Sequence, residues 1–241
     1  MIQIVEIVGR SEQGVTRPFI CRGDDGNTYF VKGIGAGRQS QVYEWIAGGL
    51  ALELGLPIAP FYIVAVPEEL VSVSPDYREL GAGPAFGSLK QTIMELNYAM
   101  VEQIPVELRQ DVLAFDWWIR NNDRMLTESG GNPNLFWAPE EEKLVIIDHN
   151  QAFDPDFSAD VFFKYHVFRN SRLGLFDDYL RREAYRKSFS TALENWHDIC
   201  KAIPEEWHYQ DPEMTVEADF DLETIFSMLD LCNSTSFWNH S

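Results

Sequence analysis

The chain changes character near residue 95, and this change limits the folds that it can adopt. Before that point, short apolar runs and alternating patterns are broken by turn residues, which is typical of β-strands. After it, apolar residues recur at helical spacing. We therefore expect an α+β fold, with a β-rich first part over residues 1–95 and a mainly helical second part over residues 96–241.

The first part contains three predicted strands, at residues 2–8, 17–21 and 28–32. An amphipathic helix is predicted next, with Ser40 as its cap and Gly55 just past its end. Further strands are expected at residues 58–66 and 70–73, and a loop at residues 79–84.

The second part is predicted to hold one hairpin among helices. Residues 106–120 have a helical apolar face, and residues 134–137 and 144–147 indicate two short strands joined by a turn. Further helices are expected near residues 159–170, 178–189, 190–202 and 219–232.

Composition excludes several classes of function. The formal net charge of −19 argues against nucleic acid as a partner, because that affinity depends on Lys and Arg neutralising phosphates. No apolar run approaches the roughly 20 residues that span a bilayer, and the N-terminus lacks the pattern of a signal peptide. We expect a cytoplasmic protein without a membrane partner. Cys21, Cys200 and Cys232 are too few and scattered for a disulfide framework and are expected to be buried thiols.

Three oxygen-bearing side chains follow one another in the second part. Asp123 comes directly after a predicted helix, where a carboxylate can face a cleft. Asn134 begins one predicted strand, and Asp148 ends the buried strand that follows, where a carboxylate needs a partner or a metal. An Asp for a hydroxyl, followed by an Asn and an Asp for a metal, is the order that phosphoryl transfer uses. Asn132 remains an alternative to Asn134 as the metal ligand.

Two further groups in the first part fit the same chemistry. Lys32 ends the third predicted strand, and Glu44 lies on the buried side of the helix that follows. An acidic group there needs a cationic partner, so we expect Lys32 and Glu44 to pair. A loop with Gly9, Ser11 and Gly14 lies between the first two strands and can bring backbone N–H groups to phosphates.

Other polar residues are explained without chemistry. Asp116 and Arg120 are four residues apart on the helix predicted over residues 106–120, and we interpret them as an ion pair on its surface. Four histidines have no metal-binding spacing and receive no role: His166, His197, His208 and His240.

Six short motifs in this order resemble those of the HipA-like kinases, in particular the short stand-alone members. They are YFVKG at 29–33, EWIAG at 44–48, LGLP at 54–57, NDR at 122–124, NPNL at 132–135 and IDH at 147–149. No single motif is specific, but six in the right order are. The resemblance covers residues 1 to about 155 and implies a protein-kinase-like bilobal fold with a β-rich N-lobe and a helical C-lobe.

The resemblance also implies ATP and Mg²⁺ as cofactors and a kinase that phosphorylates a Ser or Thr hydroxyl of a protein or of itself. Two alternatives stay open: a small-molecule kinase of the aminoglycoside-kinase type, and a nucleotide-binding module without turnover. In the first part, the implied roles are phosphate contact for Lys32 and bracing of Lys32 for Glu44. The implied phosphate loop consists of Gly9, Ser11 and Gly14.

In the second part, the resemblance implies that Asp123 is the base or orienting group for the acceptor hydroxyl. Asn134 and Asp148 would hold Mg²⁺. All of these side chains are expected to meet around one triphosphate.

Overall fold

The computed structural model describes residues 1–12, 17–128 and 130–239. It has a mixed α+β fold, as the sequence predicted. Across these residues, no helix is both long enough and apolar enough to cross a membrane.

The chain divides into two compact units, and each is discontinuous in sequence. The first unit comprises residues 1–45, 59–92 and 202–220. The second unit comprises residues 46–58, 93–201 and 221–241. The bilobal arrangement and the domain boundary expected near residue 95 stay predictions.

The first unit is built around a closed barrel of five strands. The elements of this stretch, in chain order, are β1 (Ile2–Arg10), β2 (Phe19–Gly23), β3 (Thr28–Lys32), helix α1 (Arg38–Glu53), β4 (Phe61–Val66), helix α2 (Glu68–Val71) and β5 (Gly83–Leu89). The strand order around the barrel is β1-β2-β3-β5-β4. All neighbours are antiparallel except β1 and β4, whose parallel pairing closes the barrel at Ile2 and Val64.

The barrel interior is apolar because alternate residues of each strand point inward. Fully buried members include Cys21, Tyr29, Val31 and Val64. Burial raises the pKa of the Cys21 thiol to about 12, so this cysteine is an inert member of the core, as expected. Cys200, by contrast, is only half-buried.

Strand β5 was not predicted: it begins at Gly83, at the end of the loop expected at residues 79–84, and no strand was expected over the residues that follow. Its sequence, GPAFGSL, is poor in strand-favouring residues, yet it pairs with both β3 and β4. A side chain at Gly87 would place its Cβ 2.7 Å from Val64 on the neighbouring strand. Close packing of the barrel, and not intrinsic preference, therefore selects this strand.

The strand predicted at residues 70–73 is also wrong, because helix α2 covers Glu68–Val71. Pro67 precedes this short helix, and Glu68 and Glu69 occupy its first turn, where negative charge is favourable. Helix α1 was predicted correctly in place and end. The cap expected at Ser40 is wrong, because the helix begins at Arg38 and Ser40 lies inside it. Gly55 lies just past its end, at Glu53, with a left-handed φ of 69°.

The second unit holds a short sheet and most of the helices. Its remaining elements are β6 (Met94–Glu95), α3 (Val106–Trp118), β7 (Leu135–Ala138), β8 (Lys143–Ile146), α4 (Ala159–Tyr165), α5 (Tyr179–Glu194), α6 (Trp196–Lys201) and α7 (Leu222–Asp230). The predicted hairpin is confirmed as β7 and β8, with β6 added beside β7. The break between α5 and α6 falls at Asn195, later than predicted.

Aromatic packing fixes helix α3 in the core of the second unit. The Trp118 ring is fully buried and stacks on Phe189 of α5, with 4.3 Å between the ring centroids. Its indole N–H donates to the carbonyl of Leu229 in α7 at 2.9 Å. The polar residues that follow α3 therefore leave from a rigid support.

The segment 202–220 completes the first unit, although the sequence-based division at residue 95 assigned it to the helical part. Trp207 is fully buried, and its indole N–H donates to the carbonyl of Pro84 in β5 at 2.9 Å. Arg38 Nε at the start of α1 donates to the carbonyl of Tyr209 at 3.1 Å. Strands and helices from distant parts of the chain thus share one core.

Candidate functional site

The first unit contains the predicted pair of Lys32 and Glu44. Lys32 is the last residue of β3 and is 8% exposed, while Glu44 on α1 is 3% exposed. The ammonium Nζ of Lys32 donates to Oε1 of Glu44. Because a buried charge is costly without a partner, this contact gives each of the two side chains the partner that its burial requires.

The backbone around Lys32 is also held in place. Gln41 Nε2 donates to the carbonyl of Lys32 at 2.7 Å, and Arg38 Nη1 donates to Oε1 of Gln41 at 2.9 Å. Gly33 follows Lys32 where a Cβ would lie 1.9 Å from the carbonyl oxygen of Leu80. Only glycine fits there, so the end of β3 has a fixed path.

The second unit brings together the other three candidates. Asn134 is buried, and its Nδ2 donates to Oδ2 of Asp123 at 2.9 Å. The carbonyl of Asn134 accepts from the N–H of Ile147 at 3.1 Å, and Asp148 is the next residue. Asp123, Asn134 and Asp148 thus lie on adjoining backbone, on the loop after α3 and at the ends of β7 and β8.

Asn132 has a different role from Asn134. Asn132 is exposed, and its Oδ1 accepts from the backbone N–H of Asn134 at 3.2 Å. Asn132 therefore shapes the turn around Pro133, while Asn134 reaches the side chain of Asp123. This arrangement favours Asn134 as the residue that faces the candidate site.

The donor set of the second unit fits Mg²⁺. Because Nδ2 of Asn134 donates to Asp123, the oxygen Oδ1 is the atom of that amide able to bind a cation. Asp148 adds a carboxylate, and Mg²⁺ is commonly held by one or two such groups together with water and substrate phosphates.

A buried ionic cluster beside these residues was missed by sequence reasoning. Asp116 on α3 and Arg124 are both almost fully buried, and Arg124 Nε donates to Oδ2 of Asp116 at 2.7 Å. His166 Nε2 contacts the same oxygen at 3.0 Å, and Asn121 Nδ2 donates to Oδ1 of Asp116 at 2.9 Å. The pairing expected between Asp116 and Arg120 is wrong, because α3 ends at Trp118 and Arg120 has a left-handed φ of 52°.

The charges of this cluster follow from its hydrogen bonds. Burial alone would raise the pKa of Asp116, but the Arg124 charge and the contacts of His166 and Arg124 hold that pKa far below its ordinary value. Burial lowers the pKa of His166 more than Asp116 raises it. His166 Nδ1 accepts from the N–H of Phe168 at 3.1 Å, so the neutral ring carries its proton on Nε2 and donates to Asp116.

The candidate phosphate loop is described only in part. Gly9 belongs to β1, which extends to Arg10 and pairs Gly9 with Ile20, so the strand is longer than predicted. Ser11 donates its N–H to the carbonyl of Pro18 at 2.9 Å. Gly14 lies outside the described residues.

Comparison with known proteins gives one match that carries weight. No curated protein matches the chain. Among solved structures, the Helicobacter pylori proinflammatory kinase CtkA is similar, with a TM-score of 0.46 and 12% identity over 97% of this chain and 92% of that one. A likeness at that level supports no further conclusion. The model of the HipA-like kinase family, however, matches residues 4–241. The chain therefore belongs to the HipA-like kinase family.

Proposed function

We propose that this protein is an ATP- and Mg²⁺-dependent phosphotransferase that phosphorylates a Ser or Thr hydroxyl of a protein or of itself. Membership of a kinase family supports the reaction class. The observation that carries the assignment of residues is the contact of Asn134 with Asp123, together with the backbone hydrogen bond that joins Asn134 to the residue before Asp148.

In this proposal each residue has one task. Lys32, braced by Glu44, contacts the phosphates of ATP, with Gly9, Ser11 and Gly14 as the candidate phosphate loop. Asn134 and Asp148 hold Mg²⁺, which neutralises charge that develops on the phosphate oxygens.

Asp123 orients the acceptor hydroxyl and takes its proton. The acceptor oxygen forms a bond to the γ-phosphorus, and the bond from that phosphorus to the bridging oxygen of the β-phosphate breaks, which releases ADP. The hydrogen bond from Asn134 Nδ2 fixes the orientation of the Asp123 carboxylate for this task.

The test is transfer of γ-labelled phosphate from ATP by the full chain with Mg²⁺. Asp123→Ala should lower the transfer rate by about 10²- to 10⁴-fold, the range for loss of a general base. Asp148→Asn should weaken the dependence on Mg²⁺. Asp160→Ala, at an exposed acidic position on α4, is the matched control and should retain activity.

The molecule that carries the labelled phosphate after the reaction identifies the acceptor. Label on protein, including the chain itself, supports the proposal, while label on an added aminoglycoside and not on protein indicates a small-molecule kinase. Nucleotide binding without hydrolysis or transfer, with the three variants alike, would reduce the protein to a binding module. Absence of any ATP-dependent rise in melting temperature would reject nucleotide binding altogether.

A further inference from the structure

One buried side chain links the backbone segments of both candidate metal ligands. Arg124 Nη1 donates to the carbonyls of Pro133 and Asn134, each at 3.1 Å, and to that of Ile147 at 3.3 Å. Asn134 is itself a candidate ligand, and Ile147 precedes Asp148. The guanidinium therefore contacts the chain at both points where a metal-binding side chain leaves it.

Those two points share an unusual backbone conformation. Asn134 has a φ of 51° and Asp148 a φ of 59°, and both values lie in the left-handed region. Residues other than glycine rarely adopt this region, although Asn and Asp tolerate it best. In each case the conformation determines the direction of the side chain, so contacts that hold the neighbouring carbonyls also hold the metal-binding oxygens.

The Arg124 side chain and its three carbonyl contacts form a clamp, which a second set of contacts, to Asp116, holds in place. Arg124 Nε donates to Asp116 on α3, and Asp116 is fixed in turn by Asn121 and by His166. The planar fork of Arg serves this geometry, because Nε contacts the carboxylate while Nη1 contacts the carbonyls. A lysine keeps the charge but has no second, separate donor at a fixed angle.

We propose that Arg124 is a positioning residue that aligns the side chains of Asn134 and Asp148 for Mg²⁺ by holding their backbone against the buried carboxylate of Asp116. This role rests on the proposed function, since it requires that Asn134 and Asp148 bind the metal. Arg124 itself contacts neither substrate nor metal in this mechanism.

The test is the equilibrium affinity for Mn²⁺, measured by the loss of its free electron paramagnetic resonance signal, in the full chain with a non-hydrolysable ATP analogue. Arg124→Lys should raise the dissociation constant for Mn²⁺ by about 10- to 100-fold, the usual effect of losing a group that orients metal ligands. Affinity for the analogue in the absence of metal should change less than about twofold, because the clamp does not contact the nucleotide.

The matched control is Arg169→Lys. Arg169 Nη1 also donates to backbone carbonyls in the second unit, those of Leu126 and His166. Within the part of the chain that the structure describes, Arg169 makes no hydrogen bond to the segments of Asn134 or Asp148. Its replacement should leave Mn²⁺ affinity unchanged. If Arg124→Lys does not fold, Asp116→Asn, which removes the charge of the anchor, should weaken Mn²⁺ binding in the same direction.

The outcomes separate the two proposals. If Asp148→Asn weakens Mn²⁺ binding while Arg124→Lys, or Asp116→Asn in its place, binds Mn²⁺ as tightly as the wild type, the positioning role is wrong and the proposed function stands. If the wild type binds no Mn²⁺ with the analogue, the proposed function fails and the positioning role falls with it. Selective weakening by Arg124→Lys, with Arg169→Lys unaffected, supports both.

Discussion

Replacing Arg124 with methionine tests how much the buried cluster contributes to stability. Arg124 and Asp116 are both completely shielded from water at their side chains. Methionine keeps much of the volume but removes the positive charge that Arg124 places against Asp116. His166 also contacts Asp116, but it is neutral, so among the described residues no other ion pair replaces that charge. Breaking a buried ion pair in this way typically costs about 3–5 kcal/mol, because one charge is left without compensation.

The expected loss of about 3–5 kcal/mol is a large share of the total unfolding free energy of a domain. Natural domains have unfolding free energies of about 5–15 kcal/mol. With a urea m-value of about 3 kcal/mol/M, a loss of about 3–5 kcal/mol moves the midpoint for the second unit down by about 1–1.7 M. Urea titration followed by the fluorescence of its buried tryptophans measures this shift. Arg186→Met, which removes an exposed partner of Glu183, is the control and should leave the midpoint close to that of the wild type.

The cluster also predicts how the loss depends on pH. The Arg124 charge helps to lower the pKa of His166, so its removal lets His166 take up a proton and replace part of the missing charge. The gap between variant and wild type should therefore shrink as the pH falls from 8 to 6. A midpoint for Arg124→Met within about 0.3 M of the wild type at pH 8 would refute the reasoning, since it corresponds to less than about 1 kcal/mol.

Two further predictions concern the wild-type fold. Burial keeps the pKa of His166 below its unfolded value of about 6.5, so acid protonates this residue in the unfolded chain first. The unfolding free energy should therefore fall below pH 6.5, by up to about 1.4 kcal/mol per pH unit. Urea titrations at several pH values measure this slope, and His166→Gln should flatten it. Equal slopes would contradict a neutral His166. Gly33→Ala should lower the unfolding free energy by about 1–3 kcal/mol or more, because its Cβ meets the Leu80 carbonyl, whereas Gly9→Ala has open space and should match the wild type by thermal melting.

The elements predicted correctly are those whose own sequence carries a periodic pattern and turn residues. Strands β1 to β3, helices α1 and α3 and the β7–β8 hairpin have clear periodicity with turn residues at their ends. Strand β5 has neither, because its glycines serve contacts with Val64 across the barrel. Helix α2 was taken for a strand, although Pro67 and the two glutamates after it are helix-start signals.

In the candidate site, too, some contacts could be predicted from the sequence and others could not. The pairing of Lys32 with Glu44 could be predicted because a buried acid on a helix needs a nearby cation. The partner of Asp116 could not, because the local rule chose Arg120, four residues on, and the helix ends before that residue. His166 contacts Asp116 although the two residues are fifty positions apart in the sequence, and no local sequence pattern predicts a contact between residues so far apart.

Residues 202–220 complete the first unit, and their late place in the chain has a consequence for synthesis on the ribosome. Trp207 reaches its partner Pro84 only after the nascent chain has grown by more than a hundred residues beyond β5. The five strands emerge early, but their unit stays incomplete until residues 202–220 have left the exit tunnel. A fragment ending near residue 95 would therefore leave the surface beside Pro84 uncovered and prone to aggregate.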